Sequence, residues 1–161
     1  MSYNLNAVPN ISELLQSGDN IKTKATSLNL KYNLWKHKNG DNYHILKYKK
    51  ELLTDETVNT LGLLRSVIYK DDGTLVCMAP PKSLPTENLV ISSDKEYIAE
   101  TFVEGSMINM FYDTTANSWE IATRSSVGAE MCFYMENGFN KDATFRAMFD
   151  EVCNHLKFDY N

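Results

Sequence analysis

The sequence predicts an α+β domain built mostly on an antiparallel sheet, and three observations predict it. Apolar residues alternate or run in short blocks at 28–35, 42–49, 63–69, 74–79, 107–112 and 119–122, the period of half-buried strands. Turn chemistry separates these blocks, above all Asn39-Gly40, Asp71-Asp72-Gly73 and the polar run Asp113 to Ser118, which is what antiparallel hairpins need. One helical stripe, Phe145, Met148, Phe149, Val152 and Leu156, stands near the end of the chain and reads as a core-facing helix. With 161 residues and 43% hydrophobic residues, the chain is long enough for one domain with a real core over 1–161.

In order, the chain opens on a polar lead containing Pro9. Ile11 to Gln16 follows as a short amphipathic helix, with Ile11, Leu14 and Leu15 on one face and Ser17-Gly18-Asp19 as its stop. Leu28, Leu30, Tyr32 and Leu34 alternate as a half-buried strand. After the Asn39-Gly40 turn, Asn42 to Lys49 is a second strand, Tyr43, Ile45, Lys47 and Lys49 facing one way and His44, Leu46 and Tyr48 the other. Leu52 to Leu61 is a loop with a helical turn capped by Thr54. Leu63 to Tyr69 and Thr74 to Ala79 form a hairpin that exits into Pro80-Pro81-Lys82, a proline pair that holds Lys82 on a stiff extended segment. Met107 to Tyr112 and Trp119 to Ala122 form the central hairpin. Ser126 to Met135 opens as a helix that Asn137-Gly138 breaks, and Asp142 caps the final one.

The formal charge is -5, which argues against a dedicated nucleic-acid coat surface. The lysines are nonetheless uneven: Lys22, Lys24, Lys31, Lys36, Lys38, Lys47, Lys49 and Lys50 crowd the first third, interleaved with Tyr32, Trp35, Tyr43 and Tyr48. The plain reading is a solvated strand face. The functional one is a basic, aromatic track for single-stranded nucleic acid. No run of residues is long and apolar enough to span a membrane. Cys77, Cys132 and Cys153 are odd in number and set in apolar sequence, as buried thiols of a reducing, cytoplasmic compartment are.

Three separated stretches hold the chemistry-bearing residues: Arg65 with Lys82, Glu104-Gly105-Ser106, and Thr123-Arg124-Ser125-Ser126. Each alone has a dull explanation as a surface cation or a turn. Three cations at strand ends, beside an acidic-Gly step, suit convergence on phosphates. A literal Lys-x-Asp-Gly occurs at Lys70-Asp71-Asp72-Gly73, where turn geometry alone accounts for Asp-Asp-Gly.

An Arg-bearing strand, an Asp-Gly hairpin, a Pro-Lys exit and an acidic-Gly-Ser hairpin ending in Thr-Arg-x-Ser resemble the adenylation domain of ATP-dependent RNA ligases. The likeness is to the bacteriophage and large-DNA-virus branch, and it spans roughly residues 43–156. It implies part of a nucleotidyltransferase, an ATP-grasp-like ligase fold, that uses ATP and Mg and acts on RNA. In that family a lysine of Lys-x-Asp-Gly attacks the α-phosphorus of ATP. Here the aligned segment is Phe102-Val103-Glu104-Gly105, so Phe102 holds the lysine position; a one-residue insertion after Glu100 puts Thr101 there instead. Neither side chain carries an amine. By position, Arg65, Lys82 and Arg124 would bind phosphates, and Glu104 and Gly105 would keep their place beside the nucleotide, with Glu104 orienting the sugar or a metal-bound water. Further motifs of the family lie beyond the matched stretch, so the resemblance implies a half-domain that associates with a second chain or with a C-terminal half. Two rivals are a non-catalytic nucleotide- or nucleic-acid-binding module, and a structural subunit of a viral assembly.

Overall fold

The computed structural model describes residues 4–15, 20–37, 40–83, 87, 90–94, 96–101, 104–132 and 143–160. Helices α1 (Ile11–Leu15) and α2 (Ile21–Ser27) precede a four-stranded antiparallel sheet. Its strands are β1 (Lys31–Lys36), β2 (Asn42–Lys47), β3 (Val67–Lys70) and β4 (Leu75–Met78), in that spatial order. A separate hairpin, β5 (Asn109–Asp113) and β6 (Ser118–Ala122), and helix α3 (Phe145–Leu156) complete the fold. The architecture is α+β and mostly antiparallel.

The two-sided pattern of β2 explains the layering. Tyr43 and Ile45 point into a core shared with Ile68, Phe111, Ala122 and Val127, on the hairpin side of the sheet. Leu46 points the other way, into a core with Ile11, Leu14, Ile21, Ala25, Leu64 and Val67, on the helix side. A strand buried on both faces belongs in the middle of a stack, and the sheet is held between the N-terminal helices and the β5–β6 hairpin.

A buried ion pair ties the hairpin to the sheet. The Asp113 carboxylate, at the end of β5 and shielded from solvent, accepts hydrogen bonds from Lys70 Nζ at 2.8 Å, from the Tyr43 hydroxyl, and from the backbone amides of Thr115 and Ala116. Lys70 also reaches Asp41 at 3.2 Å. Burial alone raises the Asp113 carboxyl, but these donors overcome it and hold it down to about 2. Burial likewise works against the Lys70 ammonium, and Asp113 and Asp41 raise it in spite of that.

The rest of the Lys70-Asp71-Asp72-Gly73 turn is equally occupied. Asp71 bonds His44 Nε2 at 2.6 Å and Asn42 Nδ2 at 2.8 Å, and Asp72 accepts from the Thr74 amide at 2.9 Å. Gly73 takes φ +80° while its amide closes the turn on Lys70 O. Every member of this literal Lys-x-Asp-Gly has a structural partner in the turn or in a neighbouring strand, and its lysine is held as a paired ammonium.

Several sequence expectations give way to the structure. The first long strand begins at Lys31, not Leu28: Ile21, Ala25 and Leu28 form a helical face ending at Leu28, and Leu34 is 45% exposed. Leu61–Arg65 coils into a 3-10 segment before β3, so Arg65 stands at a helical end and not on a strand. Residues 126–132 are not helical; Val127 bridges Ala122, and Cys132 bridges Thr144. Asp142 lies outside the described residues, and the cap of α3 is Thr144, whose hydroxyl accepts from the Ala147 amide at 3.1 Å. The stripe on α3 is not core: Met148, Val152 and Leu156 are exposed, and Cys153 is the helix's buried residue. Arg146 anchors the first turn instead, through Glu120 and Gly128 O. Leu52–Leu61 matches expectation, Thr54 and Thr57 exchanging reciprocal backbone and side-chain bonds. Cys77, Cys132 and Cys153 are not disulfide-bonded.

Gly128 packs the post-hairpin segment tightly against Trp35 of the sheet. Its φ is +82°, and a Cβ there would stand 2.8 Å from Cζ2 of Trp35. Gly128→Ala is therefore expected to destabilise the fold by about 3 kcal/mol, combining backbone strain with overpacking. Gly40→Ala, at φ +94° with open space around it, carries only the backbone part. Urea midpoints of the two variants at neutral pH check the difference.

Candidate functional site

Pairing geometry brings distant cations together. Ser66 accepts from the Ala79 amide at 2.8 Å, which closes the mouth of the β3–β4 hairpin. Arg65 and the Pro80-Pro81-Lys82 exit thus emerge side by side, and Arg65 Nη1 donates to Pro80 O and Pro81 O, each at 3.4 Å. The Tyr48 amide bonds Leu64 O at 2.8 Å, drawing the end of β2 and the following Lys50 to the same place. From the hairpin layer, a tight turn follows β6: the Thr123 amide bonds Ser126 O at 2.9 Å, leaving Arg124 exposed at its tip. Asn33 Nδ2 holds that turn against β1 through Ser125 O at 3.2 Å.

These segments enclose a cavity of about 320 Å³ lined by Lys31, Lys47, Tyr48, Lys50, Arg65, Lys82 and Arg124. Among the described residues, six lysines and arginines line it and no carboxylate does, in a protein of net charge -5. Lys31 and Lys47 are directly paired across β1 and β2, a like-charge register that costs a sheet stability. Lys47 is the most constrained member. Burial lowers its pKa, and the nearby Arg124 and Lys31 lower it further, while its Nζ contacts Ser125 Oγ at 2.6 Å. Among the described residues this concentration of positive charge has no carboxylate in its lining, an arrangement whose electrostatics suit an anion.

A second cavity, of about 410 Å³, shares Arg65 and Arg124 with the first. Its other lining residues include Gly105, Ser106, Thr123, Met107, Met131 and Phe145, a mixture of small polar and flat apolar groups. Of the residues singled out from sequence, Arg65, Lys82 and Arg124 line the cationic cavity and Gly105 lines its neighbour. Glu104 is exposed and lines neither. Phe102 lies outside the described residues. The sequence reading missed the part played by Lys31, Lys47 and Lys50. They were visible as members of the basic strip, but which of them face Arg124 depends on strand register.

A third, open groove of about 900 Å³ wraps the edge strand β1 and is lined by Tyr32, Asn33, Trp35, His44, Ser125 and Met131 among others. In it the Tyr32 hydroxyl bonds His44 Nδ1 at 2.9 Å. Among the described residues no carboxylate lines the cationic cavity, and they hold no cluster of three or more His, Cys, Asp and Glu. The described side chains at this site thus supply no carboxylate to Mg²⁺. Among the described residues, no helix is long and apolar enough to cross a membrane. No family model matches this chain, and neither a curated protein nor a solved structure is significantly similar to it.

Proposed function

We propose that the chain binds the phosphate chain of a nucleotide in the six-cation cavity, with ATP the nucleotide that its resemblance to RNA ligases implies. The observation that carries this reading is the convergence of Lys31, Lys47, Lys50, Arg65, Lys82 and Arg124 around 320 Å³ with no carboxylate among them. That volume is near the lower end for ligand pockets and suits a phosphate chain better than a whole nucleotide. The adjoining cavity, with Met107, Met131 and Phe145, supplies apolar surface for a base, and its shared arginines span the junction. Guanidinium groups recognise phosphate oxygens in pairs, and lysines add charge without fixed geometry. On this reading the chain is an RNA-ligase-like scaffold without an amine at position 102. It holds the nucleotide and forms no lysyl adduct there.

The open groove beside the cavity, with the half-buried rings of Tyr32 and Trp35 in its lining, favours a second reading, in which the anion is the phosphate of an RNA strand whose bases stack on those rings. Calorimetric titration with ATP, tripolyphosphate, and RNA with a 5'-phosphate or a 5'-hydroxyl separates the two. ATP and tripolyphosphate binding in the same range, in competition with each other, is the expected result. Binding of RNA alone, whether or not its end is phosphorylated, would replace the nucleotide reading with the strand-binding one. If none of the four binds, both are wrong.

A further inference from the structure

The cationic cavity contains one lysine whose surroundings differ from those of the others. Lys50 and Lys82 are exposed, on the segments that follow β2 and the proline exit, and Lys31 is exposed on the edge strand. Lys47 projects from the last residue of the central strand β2, is partly buried, and has its Nζ fixed 2.6 Å from Ser125 Oγ. Cations face it from several segments at once: Lys31 from β1, Arg124 from the turn after β6, and Lys50, Arg65 and Lys82 around the same lining. Among the described residues no carboxylate lines this space to hold Lys47 as an ion pair, in contrast to Lys70, which has Asp113 and Asp41.

From this arrangement we propose that Lys47 is a nucleophilic amine, positioned to condense with an aldehyde carried on a phosphate ester that the surrounding cations bind. The proposal rests on the phosphate-binding reading of the cavity. In the reaction, Lys47 Nζ attacks the carbonyl carbon and a C–N bond forms. The carbonyl oxygen takes up two protons, leaves as water, and a C=N bond to Nζ remains. No oxidant or further reactant is needed. Ser125 Oγ, both donor and acceptor, stands where a proton can be passed between the amine and the carbonyl oxygen. The lowering of the Lys47 pKa by burial and by Arg124 and Lys31 works in the same direction, since an amine among cations and out of water is uncharged for more of the time and attacks as the free base.

The probe is pyridoxal 5'-phosphate, an aldehyde on a phosphate ester, with borohydride reduction to fix any imine and peptide mapping to locate it. In the protein at neutral pH, Lys47 is expected to be modified several-fold faster than the exposed Lys31, Lys50 or Lys82, because its amine alone is partly out of water and set among cations. Tripolyphosphate should protect it, unphosphorylated pyridoxal should label it no better than any exposed lysine, and Lys47→Arg should lose the label without passing it to a neighbour. Even labelling of the cavity lysines, or equal labelling by pyridoxal and its phosphate, would overturn the proposal. Transfer of label from α-labelled ATP to Lys47 would overturn it too, making phosphorus the electrophile. Tripolyphosphate binding to the unmodified protein is measured separately. Binding without selective labelling removes the nucleophile and keeps the anion site, and absence of binding removes the anion site itself.

Discussion

Arg124→Glu is expected to weaken tripolyphosphate and ATP binding by about a hundredfold, the upper end of what one charge-assisted hydrogen bond contributes, because the substitution also places a carboxylate against the ligand. Arg124 is the right position for this test because it is exposed at the tip of a turn whose own bonds run through Thr123, Ser125 and Ser126. The variant therefore removes the ligand contact and leaves the turn intact. Lys36→Glu makes the same change in net charge on exposed β1 surface outside the cavity lining. It should cost only the screened long-range part, which fades as salt is raised. Titrations of both variants at low and moderate salt check this. Equal losses from the two variants would mean that overall charge, and not the cavity, sets affinity.

Asp113→Ala is expected to destabilise the fold by about 3 kcal/mol, the lower end of the cost of removing one member of a buried ion pair, because Lys70 is partly exposed and keeps Asp41 at 3.2 Å. The loss falls at once on the Lys70 ammonium, the Tyr43 hydroxyl and the two turn amides that point at the missing carboxylate. Removing the cation as well, in Lys70→Met with Asp113→Ala, should recover part of it, since no ammonium then faces the emptied position and Asp41, which also loses Lys70, is partly exposed to water. Acid tests the same group independently. Asp113 has a folded-state pKa of about 2 against an ordinary 3.8, so its contribution is complete above about pH 4. It disappears as pH falls from there through 2, because the unfolded chain takes up the proton first. Urea titrations across that window should show the component in the wild type and not in Asp113→Ala.

The hairpins were legible because their signals are local. The period-2 runs around residues 113–118 and 70–73 coincide with turn residues, and Asn117 adopts the positive φ that asparagine tolerates. Helix α2 was not, since its buried face reduces to Ile21 and Ala25, too few positions to distinguish a period of 3.6 from the strand that follows. The α3 stripe showed the opposite failure: a strong helical period says that one face is apolar, not that anything covers it, and Met148, Val152 and Leu156 are exposed. At the cavity, Arg65, Lys82 and Arg124 could be singled out by their place at element ends. Lys31 and Lys47 could not be distinguished from Lys36 and Lys49 within the basic strip. Their membership follows from the cross-strand register, in which Lys31 is opposite Lys47, and register depends on the whole sheet.

Arg124 belongs to the hairpin layer, whereas the other five cations belong to the sheet and its flanking segments. The cavity is thus a seam between two parts of the molecule, and any occupant touching both sides staples them. An occupant at a hundred times its dissociation constant would add about 2.7 kcal/mol to the stability of the folded chain, so the melting temperature of this protein is also a gauge of how full the seam is.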